Sequence, residues 1–126
     1  MSYFGSHQIR LSGPGSDDDF DVSGLVARGG VVQAVRVMSD TATTSSAATK
    51  KWTATLYNET TSKTIATGID TDTAELVAND EFDMTLGSYL EIAKDDVVSL
   101  KFVEVDGGGA PTDLSGASIE CVIDYV

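Results

Sequence analysis

Residues 117–125 read Ala-Ser-Ile-Glu-Cys-Val-Ile-Asp-Tyr. Ala117, Ile119, Cys121, Ile123 and Tyr125 fall on one side of an extended chain, and Ser118, Glu120 and Asp124 fall on the other. Successive side chains of a β-strand leave opposite faces, so a period of two is the strand signal. One apolar face and one polar face describe a strand that meets a core on one side and water on the other, an arrangement open to antiparallel sheets.

The same period recurs upstream. Val98, Leu100 and Phe102 alternate with Ser99 and Lys101, and Trp52, Ala54 and Leu56 alternate with Lys51, Thr53, Thr55 and Tyr57. From Gly30 onward, Val31, Val35 and Val37 are expected on one face. Weaker strands are expected at Thr64–Thr67, Glu75–Ala78, Phe82–Leu86 and Tyr89–Ile92. Threonine is frequent throughout, and β-branched residues suit a pleated, half-exposed surface. Turn-like stretches separate the strands at Ser39–Lys50, Asn58–Ser62, Ile69–Thr73, Lys94–Asp96 and Asp106–Gly116. The last of these holds Gly107-Gly108-Gly109-Ala110-Pro111, which disfavours any regular element. Helix is scarce: Thr41–Thr49 has alanines, but its Thr and Ser content reads as loop with at most one turn. Roughly seven or eight short strands with turns every 8–12 residues indicate an all-β fold, a single antiparallel β-sandwich or jelly roll.

The first 28 residues differ. They are rich in Gly, Ser and Asp, and residues 13–21 (GPGSDDDFD) read as loop. Their apolar residues are isolated: Phe4, Ile9, Leu11, Phe20, Val22 and Leu25. Ile9 and Leu11 suit one short strand if a neighbour offers an edge. The expected organisation is an extended N-terminal arm over residues 1–28, mobile or partner-binding, followed by a sandwich domain over residues 29–126. Phe4, Ile9, Leu11 and Phe20 are the candidate partner contacts.

At 126 residues with 41% hydrophobic content, the chain can close one core without staples. Twenty acids against eight bases give a net charge of −12. Such a surface repels phosphate backbones and anionic lipid, so neither nucleic acid nor membrane is expected as a partner. No apolar run approaches the ~18 residues of a membrane span. No apolar segment of signal-peptide type follows Met1, and synthesis in a host cytoplasm is expected. Cys121 is the one cysteine, which rules out an intrachain disulfide, and its place in an apolar alternation reads as a small buried hydrophobe.

Catalytic patterns are missing from the sequence. His7 is the one histidine and lies in the expected arm, so a Ser-His-Asp triad or a histidine-rich zinc site finds no support. Asp17, Asp18, Asp19 and Asp21, and separately Asp70, Asp72 and Glu75, are acidic enough to attract calcium. Neither has the glycine and distant glutamate of an EF-hand loop, and both read as solvated loops. Gly107–Gly109 lacks the Gly-Lys-Ser/Thr ending of a phosphate loop. Trp52, Tyr57 and Tyr89 are the aromatics that could stack a sugar, and Trp52 shares its face with core positions. No catalytic residue, cofactor or metal site is expected, and the chain is not read as an enzyme.

As a whole, the chain resembles the small jelly-roll or β-sandwich capsid decoration (cement) proteins of tailed bacteriophages. The likeness lies in GGVVQAVRVMSD from Gly29, in Trp52–Tyr57, in AKDDVVSLKF from Ala93, where an acidic turn feeds an apolar strand, and in the closing ASIECVIDYV. It covers residues 29–126 and has no diagnostic motif. The resemblance implies a virion structural protein on the outer capsid surface that binds and stabilises the shell of the major capsid protein. It also implies a homotrimer, with an N-terminal arm that orders on the shell by adding a strand to it. The alternative is a ligand- or glycan-binding β-sandwich of adhesion type, which calls for two or three coplanar exposed aromatics or an ordered calcium.

Overall fold

The computed structural model describes residues 7–43, 50–73, 75–107 and 110–126. Ten strands follow one another: β1 (His7–Pro14), β2 (Phe20–Leu25), β3 (Gly30–Ser39), β4 (Lys50–Asn58), β5 (Lys63–Asp70), β6 (Phe82–Asp83), β7 (Thr85–Leu86), β8 (Glu91–Ile92), β9 (Val97–Asp106) and β10 (Ser118–Tyr125). No helix occurs among the described residues. Residues 44–49 of the expected Thr41–Thr49 loop lie outside them.

The strands form two antiparallel sheets packed face to face. One has the order β1-β10-β3-β6, with β8 also on β3, and the other the order β2-β9-β4-β5-β7. The pairing is nested: β1 with β10, β2 with β9, β3 with β6 and β8, β4 with β5. A long hairpin rolled onto itself pairs its strands in this way, which is jelly-roll connectivity. The inward faces are those that the alternation indicates: Trp52, Ala54 and Leu56; Val98, Leu100 and Phe102; Ala117, Ile119, Cys121, Ile123 and Tyr125 are all buried. At the core's aromatic centre Phe20 stacks on Phe102 at 4.7 Å and meets the edge of Trp52 at 5.7 Å. Trp52 Nε1 donates to the Thr112 carbonyl at 2.8 Å, so its polar atom is satisfied while the ring is buried.

Three expectations change. First, the arm is corrected over residues 7–25. β1 pairs with β10 along its whole length and β2 pairs with β9 along its whole length, with Leu11 and Val22 in the core. Each edge strand contributes few inward side chains, so its apolar pattern is sparse and imitates a loop. Gly24 completes the corner: a Cβ there would stand 2.4 Å from Leu11 Cδ2, so the two sheet edges approach because that atom is missing. Second, β3 carries a bulge. Tyr125 faces Val32 and Asp124 faces Ala34, which leaves Gln33 as an extra residue. The bulge reverses the alternation, so Val32 is buried with Val35 and Val37 while Val31 is exposed. Third, residues 75–78 form no strand. Leu76 is buried there and bonded to Thr43 through both its backbone groups.

Residues 82–86 close the flank opposite the β1/β2 corner. β6 pairs with β3 of one sheet and β7 with β5 of the other, while Met84 between them is buried and donates its N–H to Val35. One short segment therefore changes sheets at a bend, as strands do at sandwich corners.

Candidate partner interface

The strands give the molecule two distinct ends. At one lie the stretches 15–19, 40–43, 71–73, 75–81, 107 and 110–117. These stretches contain Asp17, Asp18, Asp19, Asp40, Asp72, Glu75, Asp80, Glu81 and Asp113, and no lysine or arginine. Crowding acts there: partial desolvation, then the carboxylates of Asp106, Asp18 and Asp19, raise the Glu104 carboxyl above its ordinary value.

The opposite end is built from the stretches 26–29, 59–62, 87–90 and 93–96 and from the C-terminal Val126. Five of the seven exposed large hydrophobic residues among the described residues lie here: Leu25, Val31, Tyr89, Val97 and Val126. Leu25 is 60% exposed and Tyr89 54% exposed, values that a core position would not show. Strand pairing and hydrogen bonds link their turns. Leu25 sits opposite Val97, and Val97 accepts from Glu59 N–H and donates to Thr60 Oγ1. Thr61 then lines a shallow groove with Val31, Tyr89 and Lys63, and Val31 is bonded in both directions to Val126.

This end is rigid for local reasons. Val26 donates to Asp96 and accepts from Asp95, tying the 26–29 and 93–96 turns together. Beneath them the buried Asp96 carboxylate accepts from Asn58 Nδ2 and Ala93 N–H, both at 2.9 Å. Asn58 Oδ1 in turn accepts from Thr60 and Thr61 N–H. A buried carboxylate and a buried amide that satisfy each other and three backbone donors fix both turns at once.

This end carries charge of both signs: Glu59, Glu91 and Asp95 are exposed in the same region as Arg28, Lys63 and Lys94. Arg10, Arg36, Lys51 and Lys101 are paired with carboxylates on the outer sheet faces. Arg28, Lys63 and Lys94 are exposed and make no ion pair among the described residues. Lys63 Nζ lies 4.6 Å from the Tyr89 ring centre, and Arg28 and Lys94 stand in the two turns that Val26 joins.

The residues named from sequence are placed elsewhere. Leu11 is 1% exposed and lies within the core, Ile9 and Phe20 pack against it, and Phe4 lies outside the described residues. The structure brings Ile9, Leu11 and Phe20 to no common exposed surface. His7 lies 5.3 Å from the Tyr125 ring and lines an open groove with Gln8, Gln33 and Asp124. The two acidic clusters do local structural work. Asp19 accepts from Glu104 N–H, Asp21 pairs with Lys101, and Asp70 pairs with Lys51 and caps the turn at Asp72. The Lys51 hydrogen bond holds the Asp70 carboxyl below its ordinary value. No three metal-ligating side chains converge among the described residues. Trp52, Tyr57 and Tyr89 are scattered to the core, the outer face of β4 and the apolar end. Gly108 and Gly109 lie outside the described residues.

The sequence signals that would have found this end are faint: single exposed Leu, Val and Tyr residues beside turns. Their grouping depends on which turns share an end. In comparisons with known proteins, no family model, no curated protein and no solved structure matches the chain.

Proposed function

We propose that this chain is a virion structural protein: a decoration subunit on the outer surface of a capsid, which binds and stabilises the shell of the major capsid protein as a homotrimer. The observation that carries this reading is the division of the molecule into an acidic end and a rigid apolar end. A subunit divided in this way sits on a surface in one orientation, with its carboxylates turned to solvent and to ions. The jelly roll supplies the stiff body between the two ends, and its charge keeps it away from packaged nucleic acid. The trimer contact is proposed at the corner where β1 and β2 end their sheets, since among the described residues neither has a hydrogen-bonded strand on its outer side.

Quantitative mass spectrometry of density-purified particles from the source lysate tests the reading. A copy number comparable to that of the major shell protein is expected. A few copies per particle would move the chain to a vertex, neck or tail, and absence from particles would overturn the reading.

A further inference from the structure

We infer that Asp106 and Gly107 form a site of spontaneous covalent modification, where the backbone nitrogen of Gly107 closes on the Asp106 side chain and the link between the two residues isomerises to isoaspartate. Of the twenty acids, Asp106 alone is followed by glycine. Glycine has no Cβ to obstruct the ring closure. Asp106 is the last residue of β9 and faces Lys50, the first residue of β4, so the ladder that would hold its backbone extended stops there. Asp106 and Gly107 are both exposed, and Gly107 lies in a bend beyond the strand. The Glu104 carboxyl is hydrogen-bonded to that of Asp106. Partial desolvation, and then Asp106 and the neighbouring carboxylates, let Glu104 keep its proton to higher pH than usual. A proton source therefore stands against the oxygen that must leave.

The step balances with water as its one co-reactant. Glu104 passes its proton to the Asp106 carboxylate and is reprotonated from solvent. The bond from Gly107 N to Asp106 Cγ forms, and the carboxyl hydroxyl leaves with the amide proton as water. The succinimide ring then takes up water. Opening at Cγ restores aspartate. Opening at the backbone carbonyl carbon leaves the chain running through Cγ, lengthened by a carbon, with a free carboxylate on Cα. Nothing is oxidised or reduced, and the mass is unchanged. Other aspartates are held away from this chemistry: Asp40 accepts from Ser118 N–H, Asp70 from Lys51 and Asp72 N–H, and Asp96 from Asn58 and Ala93 N–H. The class of enzyme that would read the product is an S-adenosylmethionine-dependent carboxyl methyltransferase of isoaspartyl specificity.

The test incubates the full chain at mildly acidic pH and body temperature. Isoaspartate is quantified by methyl transfer from S-adenosylmethionine with an isoaspartyl methyltransferase as the probe, and is placed in the chain by peptide mapping. It should concentrate at residue 106, with roughly tenfold less at Asp40, Asp70 and Asp96. Gly107→Val, which sets a branched side chain beside the attacking nitrogen, should lower it roughly tenfold. Glu104→Gln keeps a hydrogen-bonding side chain but has no proton to give. It should lower the native yield about threefold or more and leave the yield in urea unchanged, since unfolding parts the two side chains. Thermal unfolding of each variant checks that the fold is kept. Isoaspartate missing at residue 106, or spread evenly over the aspartates, would overturn the inference. A native yield more than about tenfold below that in urea would overturn it as well, because the strand end would then be protected by the fold. Equal native yields from wild type and Glu104→Gln would overturn the part given to Glu104.

Discussion

Asn58 and Asp96 hold the turns of the apolar end together from within. Removing the amide strands a buried carboxylate and frees the Thr60 and Thr61 N–H groups, so Asn58→Ala should cost ~1–3 kcal/mol in denaturant unfolding. An unchanged midpoint would show that water replaces the amide at no cost. Cys121 is fully buried, and desolvation first, then the Glu120 carboxylate, push its thiol up to about 12. Thiolate is therefore scarce in the folded chain, and at pH 8 a thiol reagent should label Cys121 at the rate of opening and not at the rate of a free thiol. Rapid labelling of the native protein would contradict this. Glu104 supplies a pH test. Its folded pKa lies above the ordinary value, so the stability linked to it is full below the unfolded pKa and falls as pH rises through the folded one. Glu104→Gln should thus raise the thermal midpoint at pH 7, with the gain shrinking under acid conditions. A gain that grows on acidification would have the wrong sign.

At the scale of elements, the first two strands decide the fate of the chain's N-terminal part. A chain beginning at Gly29 lacks Leu11, Val22 and Val26 from the core and bares the outer edges of β10 and β9. It should fail to fold, as judged by loss of cooperative unfolding. Leu11→Ala alone should cost ~2–5 kcal/mol. A folded chain from Gly29 would return these strands to the status of a dispensable arm. Their sequence disguises them because the loop between them, Ser16–Asp19, is strongly polar and because glycines occupy the corner. The bulge at Gln33 is hidden for a related reason. Val31, Val32, Val35 and Val37 offer two phases of alternation, and the pairing with Tyr125 selects the one that buries Val32.

Across the whole molecule, the net charge of −12 is unevenly spread, and that has a measurable consequence. Repulsion among the carboxylates at the acidic end opposes folding and is screened within about 10 Å at 0.1 M salt. Raising NaCl from about 10 to about 200 mM should therefore lift the thermal midpoint. Exchanging Glu104 and Asp106 for Gln and Asn should reduce that lift. A midpoint indifferent to salt in wild type would mean that the acids are far enough apart to ignore one another.

The alternation at residues 51–57, 97–102 and 117–125 by itself determined an all-β sandwich and most of its core, because a period of two needs no knowledge of the partner strand. The sequence likewise set the acidic balance and the burial of Cys121. Tertiary structure alone decided the nested pairing, the inclusion of β1 and β2, and the change of sheets at Met84. It alone decided the candidate interface. Leu25, Arg28, Lys63, Tyr89, Lys94 and Val97 are scattered along more than half of the chain, and each is an ordinary residue beside a turn. They come together because antiparallel pairing delivers their turns to the same end, and no local pattern records which turns will meet.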